Sequence, residues 1–408
     1  MSDSPPSTRL PRDEVVALLT ALGVGADEIA RAEADGHLVL LAIDHLALGQ
    51  ELRYDLAEAC ERTGLPEDEF RHIWRSLGFP DPEPGDRVFT DVDLENLAAV
   101  ADLLHSGAVS PEVAYGMTRV LGSSMARIAS ALIDAVSARA EQVMREGGDG
   151  EDAVALEPLA TQAEGFLPMF PSVLEQVWRR HLQAAARRRL LRSEGDDGAG
   201  TVVGFADLVG FTALAQQVSD EELAEVVDQF ERLAYDVVVA GGGRVLKMIG
   251  DEVMFLVDDA VGAAEIALGL ADASRDAAEL SDVRVGLAYG PVLEREGDAY
   301  GATVNLASRA TAIAYPGTVV VSPDLRAVLE EDPRFAFKTM RPRYLKNIGR
   351  VTLSVVRRAD DAPSTIREAI DERRRQMREV VREKIAARVG VEDPDPALDD
   401  PSIPDDEG

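Results

Sequence analysis

Two aspartates in the second half of the chain have the surroundings of metal ligands. Asp207 lies at the end of an apolar run, 201–208, and Asp251 lies in a Gly-Asp-Glu turn between the apolar runs 243–248 and 252–257. Carboxylate oxygens are ligands that Mg²⁺ and Mn²⁺ prefer. If these runs pair as neighbouring strands, the two carboxylates lie close enough for two metal ions to act on a phosphate ester.

Three other side chains have a spacing that bears on this chemistry. Lysine is rare in the chain, with four residues against 38 arginines, so each lysine near the site is a candidate for binding substrate. Lys247 precedes Asp251 by four residues, which along a strand is about 13 Å on the same face, so we expect it not to contact the same metals. Asn305 and Arg309 are also four residues apart, and in a helix they share a face.

The second half of the chain has no histidine for acid–base catalysis. All five histidines precede residue 200, namely His37, His45, His72, His105 and His181. The simplest chemistry is activation of a hydroxyl by the metals, with Asp207 or water accepting its proton. Because histidine titrates near neutral pH, any response between about pH 5 and 8 would act on the first half.

From 201 to about 358, the sequence pattern predicts strands that alternate with helices, and these elements must position the residues named above. Gly250-Asp251 has the place of a hairpin turn. This order predicts an α+β sandwich with a central sheet. The predicted strands are 201–208, 243–248, 252–257, 283–288, 318–321 and 352–356, and the predicted helices are about 219–240, 259–276, 302–314 and 322–330.

The first half of the chain has mostly helical periodicity, which predicts an all-α domain. Polar, glycine-rich and acidic segments flank the two halves. Thr365 and Glu368 have capping-box spacing at the start of a final amphipathic helix, 364–389. The predicted organisation is a flexible arm 1–11, a helical domain 12–192, a linker 193–200, an α+β domain 201–358, a helical segment 359–390 and an acidic disordered tail 391–408.

Composition disfavours several classes of function. The formal net charge is −32, from 74 acidic and 42 basic residues, whereas nucleic-acid binding needs a positive surface and anionic membranes repel an acidic protein. Cys60 is the single cysteine, so no internal disulfide forms. With no apolar run of 18 residues and no signal-peptide pattern, we expect a cytoplasmic protein that neither binds nucleic acid nor inserts into a membrane.

Several spaced motifs over about 160 residues together resemble the catalytic domain of class III nucleotidyl cyclases. They are Phe-x-Asp-x-x-Gly-Phe-Thr around Asp207, the Gly-Asp-Glu turn, Asp-Ala-Tyr-Gly at 298–301 and Val-Asn-Leu-Ala-Ser-Arg at 304–309. The resemblance implies a ferredoxin-like α+β fold and an adenylyl cyclase that converts ATP to 3′,5′-cyclic AMP and pyrophosphate. It also implies that Asp207 and Asp251 bind two Mg²⁺ or Mn²⁺ ions per active site.

The same resemblance implies roles for five further residues. Lys247 and Asp298 would read adenine, because a lysine donor and an aspartate acceptor suit its N1 and 6-amino edge, whereas guanine presents the reverse pattern. Asn305 would orient the ribose, and Arg309 would stabilise charge on the transferring phosphate. Lys346, which aligns more loosely, would hold the terminal phosphates.

A homodimer is the main consequence of the resemblance. In this family the metal aspartates and the adenine and transition-state residues converge across a head-to-tail dimer, and this chain carries both sets. Two equivalent composite active sites are therefore predicted at the interface.

The first half resembles the helical regulatory domain that precedes the catalytic domain in some actinobacterial cyclases. We hypothesise that it restrains or orders the catalytic dimer in response to pH. Two alternatives stay open: a catalytically inactive cyclase-like protein that only binds nucleotide or dimerises, and a DNA-binding regulator with a winged helix-turn-helix near 54–104. Residues 51–100 hold thirteen acids and five bases, which disfavours contact with DNA phosphates.

Overall fold

The computed structural model describes residues 12–146, 169–194, 200–277 and 280–361. The chain divides into two compact units, Met1–Ala186 and Arg187–Gly408. The predicted boundaries of the domains stay predictions. The arm 1–11, most of the linker 193–200, the C-terminal helix 364–389 and the tail 391–408 lie outside the described residues.

Helices make up the regular structure described in the first unit, as the apolar periodicity predicts. Its β structure is limited, within the described ranges, to a single bridge between Tyr54 and Phe89. The helices are α1 (Arg12–Ala21), α2 (Ala26–Ala34), α3 (Leu38–Leu48), α4 (Leu56–Thr63), α5 (Glu67–Ser76), α6 (Asp91–His105) and α7 (Pro111–Glu146), followed by α8 (Phe170–Glu194).

Two apolar clusters hold the first unit together. In one, Val15 and Leu19 of α1 pack with Ile29 of α2 and with α3. In the other, Phe70 and Phe89 are fully buried among side chains of α4, α5 and α6, with their ring centroids 5.1 Å apart. Such an edge-to-face aromatic pair adds to the stability that burial alone gives.

Capping boxes fix where two of these helices begin. Asp55 precedes α4, and its side chain accepts a hydrogen bond from the Glu58 backbone while Glu58 accepts one from the Asp55 backbone. Thr90 and Asp93 make the same reciprocal pair at the start of α6. Each pair satisfies backbone donors that a helix terminus otherwise leaves without partners.

The second unit is built on a seven-stranded sheet in the order β2-β3-β1-β4-β7-β11-β8. Its first part follows the β-α-β-β-α-β order of a ferredoxin-like fold, which confirms the predicted fold class. The strands of this sheet are β1 (Thr201–Leu208), β2 (Arg244–Ile249), β3 (Glu252–Val257), β4 (Val283–Gly290), β7 (Val319–Val321), β8 (Phe335–Thr339) and β11 (Ser354–Arg358).

The helices of the second unit cover both faces of the sheet. Alternate residues of β1 point to opposite faces, so that Val202 packs with α10 and α11, whereas Phe205 lies in the apolar cluster that includes Ala307 of α12. The helices are α9 (Phe211–Leu214), α10 (Asp220–Ala240), α11 (Ala260–Asp276), α12 (Ala302–Ile313) and α13 (Pro323–Leu329).

Five short strands were not predicted from the sequence. Besides β8, they form two small hairpins, β5 (Leu293–Arg295) with β6 (Asp298–Tyr300) and β9 (Arg343–Leu345) with β10 (Gly349–Val351). Three residues are too few to show a hydrophobic alternation, and β5 is exposed throughout. Within the described residues, no helix has both the length and the apolar character needed to cross a membrane.

Candidate active site

The two predicted metal aspartates lie side by side where β1 and the β2–β3 hairpin end. The antiparallel pairing of β1 with β3 brings the Leu208 backbone N–H to within 3.1 Å of the Asp251 carbonyl oxygen, next to Asp207. Gly250 and Asp251 form the two-residue turn of the hairpin, and Gly250 has a φ of +63°, which glycine adopts without strain.

Two side chains that the sequence did not single out complete this cluster. Glu252 of β3 and Arg284 of β4 lie opposite Asp207 on the two strands that flank β1. The Arg284 Nε donates to the Asp207 Oδ2 at 2.6 Å, and the Asp207 side chain is 13% exposed. We call Asp207, Asp251 and Glu252 the carboxylate cluster.

Burial and mutual repulsion raise two pKa values within the carboxylate cluster. Burial is the larger cause for Glu252, whose pKa rises to about 7, and the negative charges of Asp207 and Asp251 add to the shift. The pKa of Asp251 is also raised, first by burial and then by Asp207. Arg284 opposes both shifts without cancelling them.

This charge balance fits a bound divalent cation. Three carboxylates face one guanidinium, and that guanidinium takes the place of a cation at Asp207. Asp207 and Asp251 present the hard oxygen ligands that such an ion needs, at adjacent positions at the end of the sheet. They are therefore the residues that would hold it.

Lys247 and Asp298, the predicted adenine-reading residues, form an ion pair. The Lys247 Nζ lies 2.5 Å from the Asp298 Oδ2, and the Asp298 Oδ1 accepts the Ala299 backbone N–H at 2.8 Å. Burial acts to raise the pKa of Asp298, but the hydrogen bonds from Lys247 and Ala299 outweigh it, and the pKa is lowered. Lys247 lies on edge strand β2 after a register shift that follows Val245.

The predicted transition-state residues lie on α12 and are exposed. Asn305 and Arg309 are one turn apart in this helix, as their spacing predicts. The helix begins after Gly301, whose φ of +130° is open to glycine alone among the common residues. Lys346 is exposed in the turn of the β9–β10 hairpin.

The structure thus brings together two of the predicted pairs and leaves the others exposed. Asp207 is adjacent to Asp251 and Lys247 contacts Asp298, whereas Asn305, Arg309 and Lys346 face solvent in the single chain. We call Lys247, Asp298, Asn305 and Arg309 the recognition group, and the roles assigned to its members stay predictions.

Comparison with known proteins matches both halves of the chain to cyclase domains. Residues 6–185 match the adenylate cyclase regulatory domain, and residues 198–357 match the adenylate and guanylate cyclase catalytic domain. An adenylate cyclase from Streptomyces coelicolor is 37% identical over 283 residues, which are 69% of this chain and 73% of that protein.

Two further relatives match the chain over a longer stretch. An adenylate cyclase from Glutamicibacter nicotianae is 30% identical over 327 residues, 76% of this chain and 79% of that protein. A pH-sensitive adenylate cyclase from Mycobacterium tuberculosis is 30% identical over 361 residues, 86% of this chain and 89% of that protein. With its ferredoxin-like sheet, its strand-end aspartates and these matches, the chain belongs to the class III adenylyl cyclase family, in the branch with a helical regulatory domain.

Proposed function

We propose that this enzyme converts ATP to 3′,5′-cyclic AMP and pyrophosphate in composite active sites of a homodimer. The observation that carries the proposal is that the second unit holds two separate groups of residues, one at the ends of β1 and β3 and one where β2 meets the β5–β6 hairpin. The carboxylate cluster would bind metal and triphosphate, and the Lys247–Asp298 pair suits adenine. In the reaction the ribose 3′-oxygen bonds to the α-phosphorus, and the bond from that phosphorus to pyrophosphate breaks.

The carboxylate cluster would supply the metal-binding half of the site. Two Mg²⁺ or Mn²⁺ ions at Asp207 and Asp251 would lower the pKa of the 3′-hydroxyl and neutralise charge on the triphosphate. Asp207 or water would accept the hydroxyl proton. Because a cation at Asp207 competes with the Arg284 guanidinium, Arg284 would be released there to contact phosphate oxygens.

Lys247 and Asp298 would select adenine. A lysine ammonium donates to N1, and an aspartate carboxylate accepts from the 6-amino group. Their 2.5 Å contact holds the donor next to the acceptor before substrate binds. Guanine would meet a donor where it has a donor and an acceptor where it has an acceptor, so its binding is disfavoured.

The exposure of Asn305 and Arg309 supports the dimer. Both side chains are on the surface of the single chain, whereas stabilisation of a transition state needs them in an enclosed site of low dielectric. A second copy that presents its carboxylate cluster to them would provide that enclosure, and two-fold symmetry would give two equal sites. Lys346 would hold the terminal phosphates.

We further propose that the helical unit controls the catalytic dimer in response to pH. One of its histidines, His45 of α3, lies 3.3 Å from Glu28 of α2 and joins the two helices. The similarity to a pH-sensitive adenylate cyclase supports the same proposal. The pH–rate profiles of the full chain and of a truncated chain beginning near residue 195 should differ, and identical profiles would exclude this control.

The DNA-binding alternative is weakened by the surface of the helix-turn-helix. Helices α4 and α5 are joined by a three-residue turn, but α5 begins with Glu67, Asp68 and Glu69. The start of a recognition helix enters the major groove, where three carboxylates would be repelled by phosphate. Tight binding in a salt-dependent DNA titration would restore this alternative.

The direct test of the proposed function is an assay of nucleotide cyclisation. We expect cyclic AMP and pyrophosphate from ATP with Mg²⁺ or Mn²⁺, and little cyclic GMP from GTP. ATP binding without any cyclic product, under both metals and across pH 5 to 8, would support the catalytically inactive alternative instead. The cytoplasmic location stays a prediction.

A further inference from the structure

One buried hydroxyl ties the start of α12 to the segment that follows β4. Thr303 is 6% exposed, and its Oγ1 donates to the Pro291 carbonyl oxygen at 2.7 Å. It lies in the first turn of α12, two residues before Asn305 and six before Arg309. This bond joins residues twelve positions apart in the sequence, so it connects α12 to a different part of the unit.

The packing around this hydrogen bond is close. A Cβ added to Gly290 would lie 2.8 Å from the Thr303 Oγ1, so the β4 end passes directly over the hydroxyl. Helix α12 begins after Gly301, whose φ of +130° sets the direction in which the helix leaves the β5–β6 hairpin. Gly290 and Pro291 therefore lie against the Thr303 hydroxyl and leave it little freedom.

The other end of α12 rests on the sheet in a different way. The Thr311 Oγ1 bonds the Ala307 carbonyl of its own helix at 3.0 Å and the Phe205 carbonyl of β1 at 3.3 Å. A Cβ on Gly286 of β4 would overlap the Thr311 backbone nitrogen, so backbone packing fixes this end of the helix. Loss of the Thr311 hydroxyl would leave that packing in place, whereas at the first turn the contact with the segment after β4 is made by the Thr303 hydroxyl itself.

We propose that Thr303 is a positioning residue for the cyclisation step, one that acts through Asn305 and Arg309. The proposal rests on the proposed function, in which these two residues orient the ribose and stabilise the transferring phosphate. The Thr303 hydroxyl fixes the first turn of α12 against Pro291 and so fixes how far both side chains reach into the composite site. A displacement of about 1 Å in such groups can lower a rate about a hundredfold.

The matched pair Thr303→Ser and Thr303→Ala tests the hydroxyl, since the two variants differ by one oxygen atom. We expect Thr303→Ala to lower kcat about 10- to 100-fold, with KM for ATP within about threefold, because adenine is read by Lys247 and Asp298. Thr303→Ser should keep kcat within about threefold of wild type. If Ser lowers kcat as much as Ala, or if Ala keeps it within twofold, the proposal is wrong.

Thr311→Val serves as a control for the general cost of losing a buried threonine hydroxyl. Thr311 is 1% exposed, and its hydroxyl bonds the Ala307 carbonyl in the same helix, α12. Thermal unfolding of all variants measures their stability. We expect Thr311→Val to lower the unfolding temperature about as much as Thr303→Ala with little change in kcat. An equal loss of kcat in both would show a structural effect and overturn the proposal.

A mutant cycle separates this proposal from the proposed function. If Thr303 acts through Asn305 and Arg309, adding Thr303→Ala to a chain that carries both Asn305→Ala and Arg309→Ala should lower kcat by less than threefold beyond that chain alone. If Thr303→Ala lowers kcat by the same factor with and without Asn305 and Arg309, the positioning role is contradicted while the proposed function stays intact. If Asn305→Ala and Arg309→Ala both keep wild-type kcat, the proposed function itself is at fault.

Discussion

The carboxylate cluster and the recognition group lie in the same unit, but they differ in how many of their side chains are buried and paired within one chain. Antiparallel pairing of β1 with β3 and β4 assembles the cluster within one chain, with Asp207 mostly buried and already neutralised by Arg284. In the recognition group, Lys247 and Asp298 are half-exposed, and Asn305 and Arg309 are exposed. The fold therefore assembles the carboxylate cluster within one copy and leaves the recognition group partly or fully exposed.

The largest effect should come from removing a residue of the carboxylate cluster. Asp207→Ala removes a proposed metal ligand, and we expect kcat to fall at least about a thousandfold. The stabilisation that Mn²⁺ gives against thermal unfolding should also be lost, which tests metal binding without an activity assay. Asp236→Ala, at an exposed aspartate of α10, is the control and should behave as wild type. Unchanged Mn²⁺ stabilisation in Asp207→Ala would show that the metal binds elsewhere.

Mixing two inactive variants tests directly whether the halves come from different copies. Asp207→Ala and Asn305→Ala should each be nearly inactive as homodimers. In a random mixture half of the dimers contain one copy of each, and one of their two sites is intact, so about a quarter of wild-type activity should return. Activity that stays at the level of either variant alone, after exchange of subunits has been verified, would show that each site is built within one chain.

Much of the carboxylate cluster could be predicted because its signal is local. An apolar run ending near Asp207 and a glycine turn beside Asp251 are visible in the sequence, and they predict strands whose ends meet. Arg284 could not be found in this way, since it lies 77 residues from Asp207 and its role depends on the register between β1 and β4. A one-residue slip in that register would place Arg284 on the opposite face of the sheet.

The contacts within the recognition group could be predicted less well from the sequence than those of the carboxylate cluster. Lys247 and Asp298 are 51 positions apart, and Asp298 lies on a three-residue strand that shows no alternation. Their pairing was expected only through the resemblance to class III cyclases. The raised pKa of Glu252 was also missed, because it depends on burial and on two carboxylates that only the folded hairpin brings together.

A smaller effect is expected when the ion pair of Lys247 and Asp298, which we propose reads adenine, is broken. Lys247→Met removes a charged hydrogen-bond donor, and we expect kcat/KM for ATP to fall about 10- to 100-fold, mainly through KM. The preference for ATP over GTP should shrink as well. Lys338→Met is the matched control, because Lys338 is an exposed lysine of the same unit on β8. If Lys247→Met lowers kcat with KM unchanged, Lys247 acts on the transition state and does not read the base.

The smallest effect concerns the stability that the same ion pair gives to the folded chain. Because the folded-state pKa of Asp298 is lowered, its contribution to stability is fully present above the ordinary aspartate pKa of about 3.9 and is lost as pH falls through the folded value. The pair is partly exposed, so Lys247→Met should lower the free energy of unfolding by no more than about 1 kcal/mol at pH 7.

In thermal unfolding from pH 7 to 3, the difference between wild type and Lys247→Met should shrink towards zero at the acid end, whereas Lys338→Met should differ little from wild type throughout. A difference that grows as pH falls would mean that Lys247 stabilises the fold through some contact other than the Asp298 carboxylate.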